Sequence, residues 1–405
     1  MAIKEKNNIP AGYKYSAVGV IPQEWEVKRL KDLGRVITGS TPPTANISNY
    51  GSEYMFVGPA DLSDNQKYIL TTEKMLSSKG YAISRKMPKG TILYTCIGST
   101  IGKIGIASRE LTSNQQINAV ICNDKNEYLY YALLFTTGRI KTLAGEQAVP
   151  IINKSEFENI KLAVPPLAEQ RKIAEILGVW DESIEKQSRL IEKLELRKRG
   201  LMQRLLTGRT RLPGFTTPWQ KVKLGEIFKE RNETKCEHLP LLSITADRGV
   251  ILQSESDKKD TSNDDKSKYK RICPNDIGYN TMRMWQGRSA LSEMEGIVSP
   301  AYTIVTPKVE VNPLFISELI KQPRVVYDFW THSQGLVGDT LNCKFHNFIQ
   351  VKVAIPSLPE QKAIAEVLTS ADDEIATHSK RLEALRLQKR GHMQQLLTGK
   401  TRVKI

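Results

Sequence analysis

One segment of the chain occurs twice. Residues 164–211, VPPLAEQRKIAEILGVWDESIEKQSRLIEKLELRKRGLMQRLLTGRTR, align without a gap to residues 355–402, IPSLPEQKAIAEVLTSADDEIATHSKRLEALRLQKRGHMQQLLTGKTR. The offset is constant (356 − 165 = 191), and about half of the aligned pairs are identical, which chance does not produce.

Each copy reads as one long helix, because apolar residues recur at heptad spacing in two interleaved series. The seam runs through Ile173, Leu177, Ile184, Ile191 and Leu194 in the first copy and Ile364, Leu368, Ile375, Leu382 and Leu385 in the second. Pro165 and Pro166, or Pro356 and Pro359, stand where a helix can begin, and Thr-Gly at 207–208 and 398–399 stands where one ends. Roughly 40 residues at ~1.5 Å each make a rod of about 60 Å. Gln187 with His378, and Lys198 with Lys389, interrupt the seam at matched places. Such residues are either tolerated beside solvent or fix the register of the pairing. Since both copies carry one seam, the economical solution packs them against each other, antiparallel, relating the two halves of the chain by an approximate two-fold.

Two segments of similar length lie between the rods. Both open alike, IPQEWEVKRLKDL at 21–33 and TTPWQKVKLGEIF at 216–228, and both close on an alternating run into proline. Between those ends they diverge. Short alternating runs (54–57, 91–97, 117–122; 239–244, 277–281, 302–305) are punctuated by Gly, Pro and Asn, with a short helix late in each segment (127–135, 314–321). The expected class is therefore α+β. The layout is an N-terminal arm at 1–19, a first globular domain at 20–163, a first rod at 164–211, a second domain at 212–354 and a second rod at 355–405. A constant frame with two unlike globular domains implies two unlike targets.

Composition narrows the class of partner. The 405 residues carry 59 Lys and Arg against 44 Asp and Glu, a net charge of +15, with an ordinary 40% of hydrophobic residues. That excludes a disordered polycation and points to a polyanion such as nucleic acid. No apolar stretch approaches the roughly 18 residues of a membrane span, and MAIKEKNNIP lacks a signal-peptide layout, so the expected location is the cytoplasm. The five cysteines include no CxxC pair, as expected in a reducing compartment. Cys236, His238, Cys343 and His346 have ligand-like spacing, but scattered Cys and His more often serve packing, and no metal is assigned.

Few motifs suggest chemistry. The run Gly98-Ser-Thr-Ile-Gly-Lys103 looks like a P-loop, but its glycine spacing is one residue off and Ile104 stands where a Mg²⁺-binding hydroxyl belongs. It is either a plain hairpin turn or a turn that offers Ser99, Thr100 and Lys103 to a phosphate backbone. Asn312-Pro313 reads as a helix start, not as an adenine-gripping loop. No catalytic grouping stands out, so no catalytic residue is assigned. The run at 282–288 places Arg283, Gln286 and Arg288 around Trp285, and Arg and Gln are the side chains that read guanine and adenine edges. Lys268 and Lys270 belong to a mixed-charge stretch, KKDTSNDDKSKYKR at 258–271, which is either a solvated loop or a phosphate contact. Arg85, Lys86, Gln115 and Gln116 are the matching candidates in the first domain.

The rod pair with its Leu-x-Glu-Gln openings (167–170, 358–361) and Leu-Leu-Thr-Gly endings resembles a known family. So do the junctions GVIPQEW at 19–25 and RLPGF at 211–215 before Trp219, and the Gly-Ser-Thr-Ile-Gly-Lys turn. Together they resemble the specificity subunit of Type I restriction-modification enzymes. The resemblance implies two target recognition domains, each reading half of a split, asymmetric sequence in double-stranded DNA, carried on an antiparallel coiled coil. It implies a non-catalytic subunit, with two methyltransferase subunits using S-adenosylmethionine on adenine and two restriction subunits using ATP and Mg²⁺, and no cofactor on this chain. The rods would set the distance between half-sites. The competing classes are a stand-alone DNA methyltransferase or nuclease, and a coiled-coil DNA-binding scaffold.

Overall fold

The computed structural model describes residues 9–63, 66–122, 126–144, 149–245, 248–256, 262–335 and 341–404. They form two compact units. The first joins the described residues up to Leu190 to those from His378 onward, and the second spans Ile191–Thr377. The rods are thus not appendages of the globular domains. The head of one helix and the tail of the other belong to each unit's core.

The two repeated segments are helices Leu167–Leu205 and Leu358–Leu397, 39 and 40 residues long. Each starts where a buried glutamine turns back on the prolines before it. Gln170 Nε2 donates to the carbonyl of Pro165 at 2.7 Å and Gln361 Nε2 to that of Pro356 at 3.0 Å, satisfying carbonyls that the proline breaks leave open. Each ends at a glycine in the left-handed region, Gly208 (φ +68°) and Gly399 (φ +69°), as the Thr-Gly pairs predict.

Within the first unit the helices run antiparallel. Asp181 meets Lys389, and Gln187, only 7% exposed, donates through Nε2 to the carbonyl of His378 and to its Nδ1, both at 2.9 Å. The second unit shows the same sense, with Arg197 on Glu374 and Lys198 on Asp372. Lys198 and Lys389 therefore do not sit idle in the seam, since each finds the aspartate at the matching position of the other copy. Of the seam residues, Ile173, Leu177, Ile184, Leu194, Ile364, Leu368 and Leu382 are buried, whereas Ile191, Ile375 and Leu385 are half-buried. The helix ends are buried deepest because they enter domain cores, where each fully buried Leu or Ile contributes about 1.5–3 kcal/mol. Ile173, Leu177, Met393 and Leu396 join Trp25, Tyr131 and Phe157 in the first core, and Leu205, Ile364 and Leu368 join Phe228, Tyr279 and Phe348 in the second.

The alike openings and closings of the domains pair with each other. Strand Glu26–Arg29 lies antiparallel to Lys161–Val164, and Gln220–Lys223 to Lys352–Ile355, so each domain is closed by its own two ends. The expected arm at 1–19 runs into a hairpin that crosses its boundary, Tyr13–Ser16 on Gly19–Pro22, and Tyr13 Oη donates to the carbonyl of Gly399 at 2.7 Å.

The divergent middles share one sheet. In the first unit Arg35–Thr38, Ile117–Ile121, Ile92–Thr95 and Ile104–Ala107 are neighbours in that order, and in the second Phe228–Arg231, Tyr302–Pro307, Ile277–Asn280 and Ser289–Leu291 follow the same order. Along the last three of these strands the registers coincide at a single offset (277 − 92 = 185): Ile92 faces Val120 and Ile106, and Ile277 faces Val305 and Leu291. The expected short helices are Asn126–Lys141, longer than its apolar run suggests, and Pro313–Leu319, capped by Asn312 accepting from the Phe315 N–H at 2.8 Å. A further helix, Pro323–His332, was not anticipated.

Candidate nucleic-acid interface

The Gly98–Lys103 run and the Arg283–Arg288 run are the same turn. Both connect the third and fourth strands of the common sheet, and the offset of 185 superposes Lys103 on Arg288 and Gly102 on Gly287. Both glycines take positive φ, +99° and +74°, which lets the chain reverse, and a cation follows each. A Cβ on Gly102 would stand 2.4 Å from Thr137 Cγ2, and one on Gly287 3.2 Å from Val326 Cγ2. Glycine is thus required for room as well as for φ at the first position.

In the first unit the turn is tied down on both sides. Thr95 N–H donates to the Lys103 carbonyl at 2.9 Å, Gly98 N–H to that of Pro150 at 2.9 Å, and Cys96 N–H to that of Gln116 at 2.9 Å. Ser99 is exposed, while Thr100 and Lys103 are half-buried. Hydrogen bonds then run from this turn to the other candidates. Gln116 exchanges bonds with Asn114, Thr41 Oγ1 donates to Gln115, Ser40 N–H donates to the Ser113 carbonyl at 2.8 Å, and Arg85 N–H donates to Ser40 Oγ at 2.9 Å. Arg85 also donates through Nη1 to the Thr38 carbonyl at 2.8 Å. Lys86 holds its ammonium 4.8 Å above the ring of Tyr81, itself stacked on Tyr54 at 3.9 Å. Gln115, Gln116 and Arg85 are thus tied to neighbouring backbone and hydroxyl groups, whereas Lys86 is held over an aromatic pair. Thr41 and Ser40 contact these candidates and carry no sequence signal, since they meet Gln115 and Arg85 only through bonds between distant segments. Burial beside the turn pushes the Cys96 thiol up to about 12, so it stays a neutral packing group.

In the second unit Met284 is fully buried and anchors the turn, while Arg283, Gln286 and Arg288 are exposed around it. Trp285 is half-buried and spends its indole N–H on the Met282 carbonyl at 2.9 Å, so it offers a ring face and no donor. Asn280 N–H donates to the Arg288 carbonyl at 3.1 Å and Arg283 N–H to that of Asn280 at 3.0 Å, closing the loop. Lys268 is exposed; Lys270 sits on strand Lys270–Ile272 and lies 3.7 Å from Glu230. That strand is the counterpart of Lys86–Met87, with Arg271 at the position of Lys86 (271 − 86 = 185). Arg271 is held by Glu295 and Glu233, which raise its pKa further, so this cation is neutralised within the unit. Residues 258–261 of the mixed-charge stretch lie outside the described residues.

Cys236, His238, Cys343 and His346 are not gathered: among the described residues no group of three or more His, Cys, Asp or Glu could hold a metal ion. Nor is any helix among the described residues long and apolar enough to cross a membrane.

The matched Glu-Gln and Thr-Arg motifs of the repeat prove to be halves of one device. Glu169, fully buried, accepts from Arg402 Nε at 2.7 Å and Nη2 at 3.0 Å and from Trp25 Nε1 at 3.0 Å. Glu360, equally buried, accepts from Arg211 Nε at 2.5 Å and Nη2 at 2.6 Å. In each unit the head of one helix is thus clamped to the residues just past the tail of the other.

Comparison with known proteins adds the following. A family model described as "Type I restriction modification DNA specificity domain" matches residues 22–196 and 287–387. The Type I restriction enzyme MjaVIII specificity subunit of Methanocaldococcus jannaschii is 27% identical over 422 residues, covering 95% of this chain and 94% of that protein. The MjaIX specificity subunit of the same organism is 35% identical over 196 residues, 45% of each chain. A crystal structure of the Type-I restriction-modification system S subunit from M. genitalium matches with a TM-score of 0.55 at 17% identity over 98% of both chains, a likeness of fold.

Proposed function

The chain belongs to the Type I restriction-modification DNA specificity family, and from that premise we propose how it divides recognition between its two halves. It is the DNA-recognition subunit of such a system. Each domain reads one half of a split, asymmetric site, the second with base contacts from the turn at 282–288 and the first with the turn at 96–103 holding the backbone beside the bases. The observation that carries this is a turn held in identical register in two sheets but furnished differently: Ser99, Thr100 and Lys103 in one, Arg283, Gln286 and Arg288 in the other. Hydroxyls and a single ammonium position a backbone, whereas two guanidinium groups and an amide can pair with guanine and adenine edges. The net charge of +15 supplies a phosphate attraction that is independent of sequence.

On this reading the chain makes and breaks no bonds. Two methyltransferase subunits that bind S-adenosylmethionine methylate adenine at the site, two restriction subunits driven by ATP with Mg²⁺ cut, and the assembly works in the cytoplasm. The test is methylation-site sequencing in cells expressing the chain with its cognate methyltransferase subunit. Exchanging residues 282–288 for another turn should alter one half-site and leave the other intact. A change in both halves, or in neither, refutes the division of labour, and purified chain that methylates or cuts DNA alone refutes the non-catalytic role.

A further inference from the structure

The helix behind each matched turn is furnished differently in the two units. Thr137 of helix Asn126–Lys141 lies against Gly102, and Val326 of helix Pro323–His332 lies against Gly287, so the two helices share one position at an offset of 189 (326 − 137 = 189). In the first unit, one helical turn beyond Thr137, Lys141 brings its Cε within 3.0 Å of the point where a Gly102 Cβ would stand, and Gly138 lies between. The second unit has Tyr327 at the place of Gly138 and Trp330 at that of Lys141 (327 − 138 = 189; 330 − 141 = 189). Val325 and Phe329 of this helix are buried, but Tyr327 and Trp330 are 57% and 47% exposed, with ring centroids 5.5 Å apart. Residues 281–288 and 323–334 together carry Arg283, Arg288 and Arg324 against a single carboxylate, Asp328, which Arg324 approaches at 3.9 Å. The aromatic pair is therefore an open apolar face set among cations, beside the turn that carries Gln286.

Resting on the reading given under Proposed function, we propose that the Tyr327–Trp330 pair reads thymine in the second half-site by packing on its 5-methyl group. An adenine edge paired with Gln286 in the major groove brings the methyl of its partner thymine into the same groove. The two rings supply the apolar surface that such a methyl needs, and the surrounding arginines favour DNA over a neutral or cationic partner. No base has to leave the stack for this contact, and the rings neutralise no phosphate. The first unit lacks the contact, because Gly138 has no side chain and the Lys141 ammonium suits a phosphate instead. Discrimination by a methyl group at this place is therefore confined to one half-site.

The test uses the full chain assembled with its cognate methyltransferase subunit and a duplex of the site found by methylation-site sequencing, in which each thymine in turn is replaced by deoxyuridine. Fluorescence anisotropy of the wild-type complex should show a loss of about fourfold in affinity at a thymine of the second half-site, the worth of one buried methyl group. Trp330→Ala and Tyr327→Ala should weaken binding to the unmodified site and no longer respond to that uracil, while Trp330→Phe, which keeps a ring, should retain most of the response. Neither alanine variant should change the slope of log affinity against log salt, whereas Lys141→Ala should flatten it by about one unit. If one alanine variant does not fold, the other and Trp330→Phe decide. A wild-type complex indifferent to every uracil in the second half-site, a uracil response unchanged in the alanine variants, or a second half-site without an A·T pair overturns the proposal. So does a Trp330→Ala chain that binds DNA as the wild type does but sheds the methyltransferase subunit in native mass spectrometry, which would make the pair a protein contact. Arg288→Ala in the same assay keeps the two readings apart: unchanged binding refutes the role of the turn itself, and weakened binding without a uracil response refutes only the role of the aromatic pair.

Discussion

The carboxylate of Glu169 and the guanidinium of Arg402, 233 residues apart in sequence, form a two-bond pair in which the acid is fully buried and the base reaches it from beyond the end of the other helix. Glu169 and then Glu24 raise the Arg402 pKa, so the base stays charged across the working range. Removing the base strands a buried carboxylate, an outcome that costs several kcal/mol in a dry site. Arg402 is partly open to water, which softens the loss, so Arg402→Ala should destabilise the first unit by about 2 kcal/mol, or roughly 4–8 °C at 2–4 °C per kcal/mol. Differential scanning calorimetry reads it, and an unshifted transition would show that the pair is ornamental.

The tryptophans beside the two clamps should answer differently to the same substitution. Trp25 donates its indole N–H to Glu169, whereas the buried Nε1 of Trp219 has no acceptor among the described residues and Arg211 only overlies its ring at 5.9 Å. Trp25→Phe therefore gives up a bond to a charged acceptor, about 1.5–3 kcal/mol. Trp219→Phe discards an unmet donor and should be near neutral, so equal losses in chemical denaturation would contradict the geometry.

At the turns, Lys103→Ala and Arg288→Ala should each lower DNA affinity of the assembled complex and flatten the plot of log affinity against log salt by about one unit. If Arg288 reads a base as well, its variant also relaxes the methylated sequence at one position of one half-site, and Lys103→Ala does not. Gly102→Ala should damage its unit more than Gly287→Ala. Both force a side chain into the left-handed region, at about 1–3 kcal/mol, but only the first meets an atom at 2.4 Å.

Burial holds the Cys96 and Cys343 thiols at about 12. The unfolded chain releases these protons from about pH 9, so the native state keeps protons that the unfolded state has lost. The stability involved is intact below pH 9 and drains away as pH climbs toward 12, by up to about 1.4 kcal/mol per thiol and pH unit. Urea melts between pH 8 and 10.5 should show this fall, shallower in a Cys96→Ala, Cys343→Ala chain. Rapid labelling of either thiol in the native protein at pH 8 would rule the burial out.

Much of the frame was legible because it obeys local rules. Heptad spacing, prolines before a helix and Thr-Gly after it depend on neighbours within a few residues, and they place both long helices and their ends. The alike domain openings and closings, the Asn312 cap and the basic turns were visible for the same reason. What stayed hidden was everything set by pairing across the chain. The two middles share few residues, so nothing in the order of amino acids showed that Lys103 and Arg288 occupy one position. Only strand register reveals it, because a sheet constrains which faces are apolar and not which residues supply them. Likewise the repeat showed Glu169, Arg402 and their copies only as matched letters. That they are clamps was decided by tertiary structure, which alone brings the head of one helix to the tail of the other.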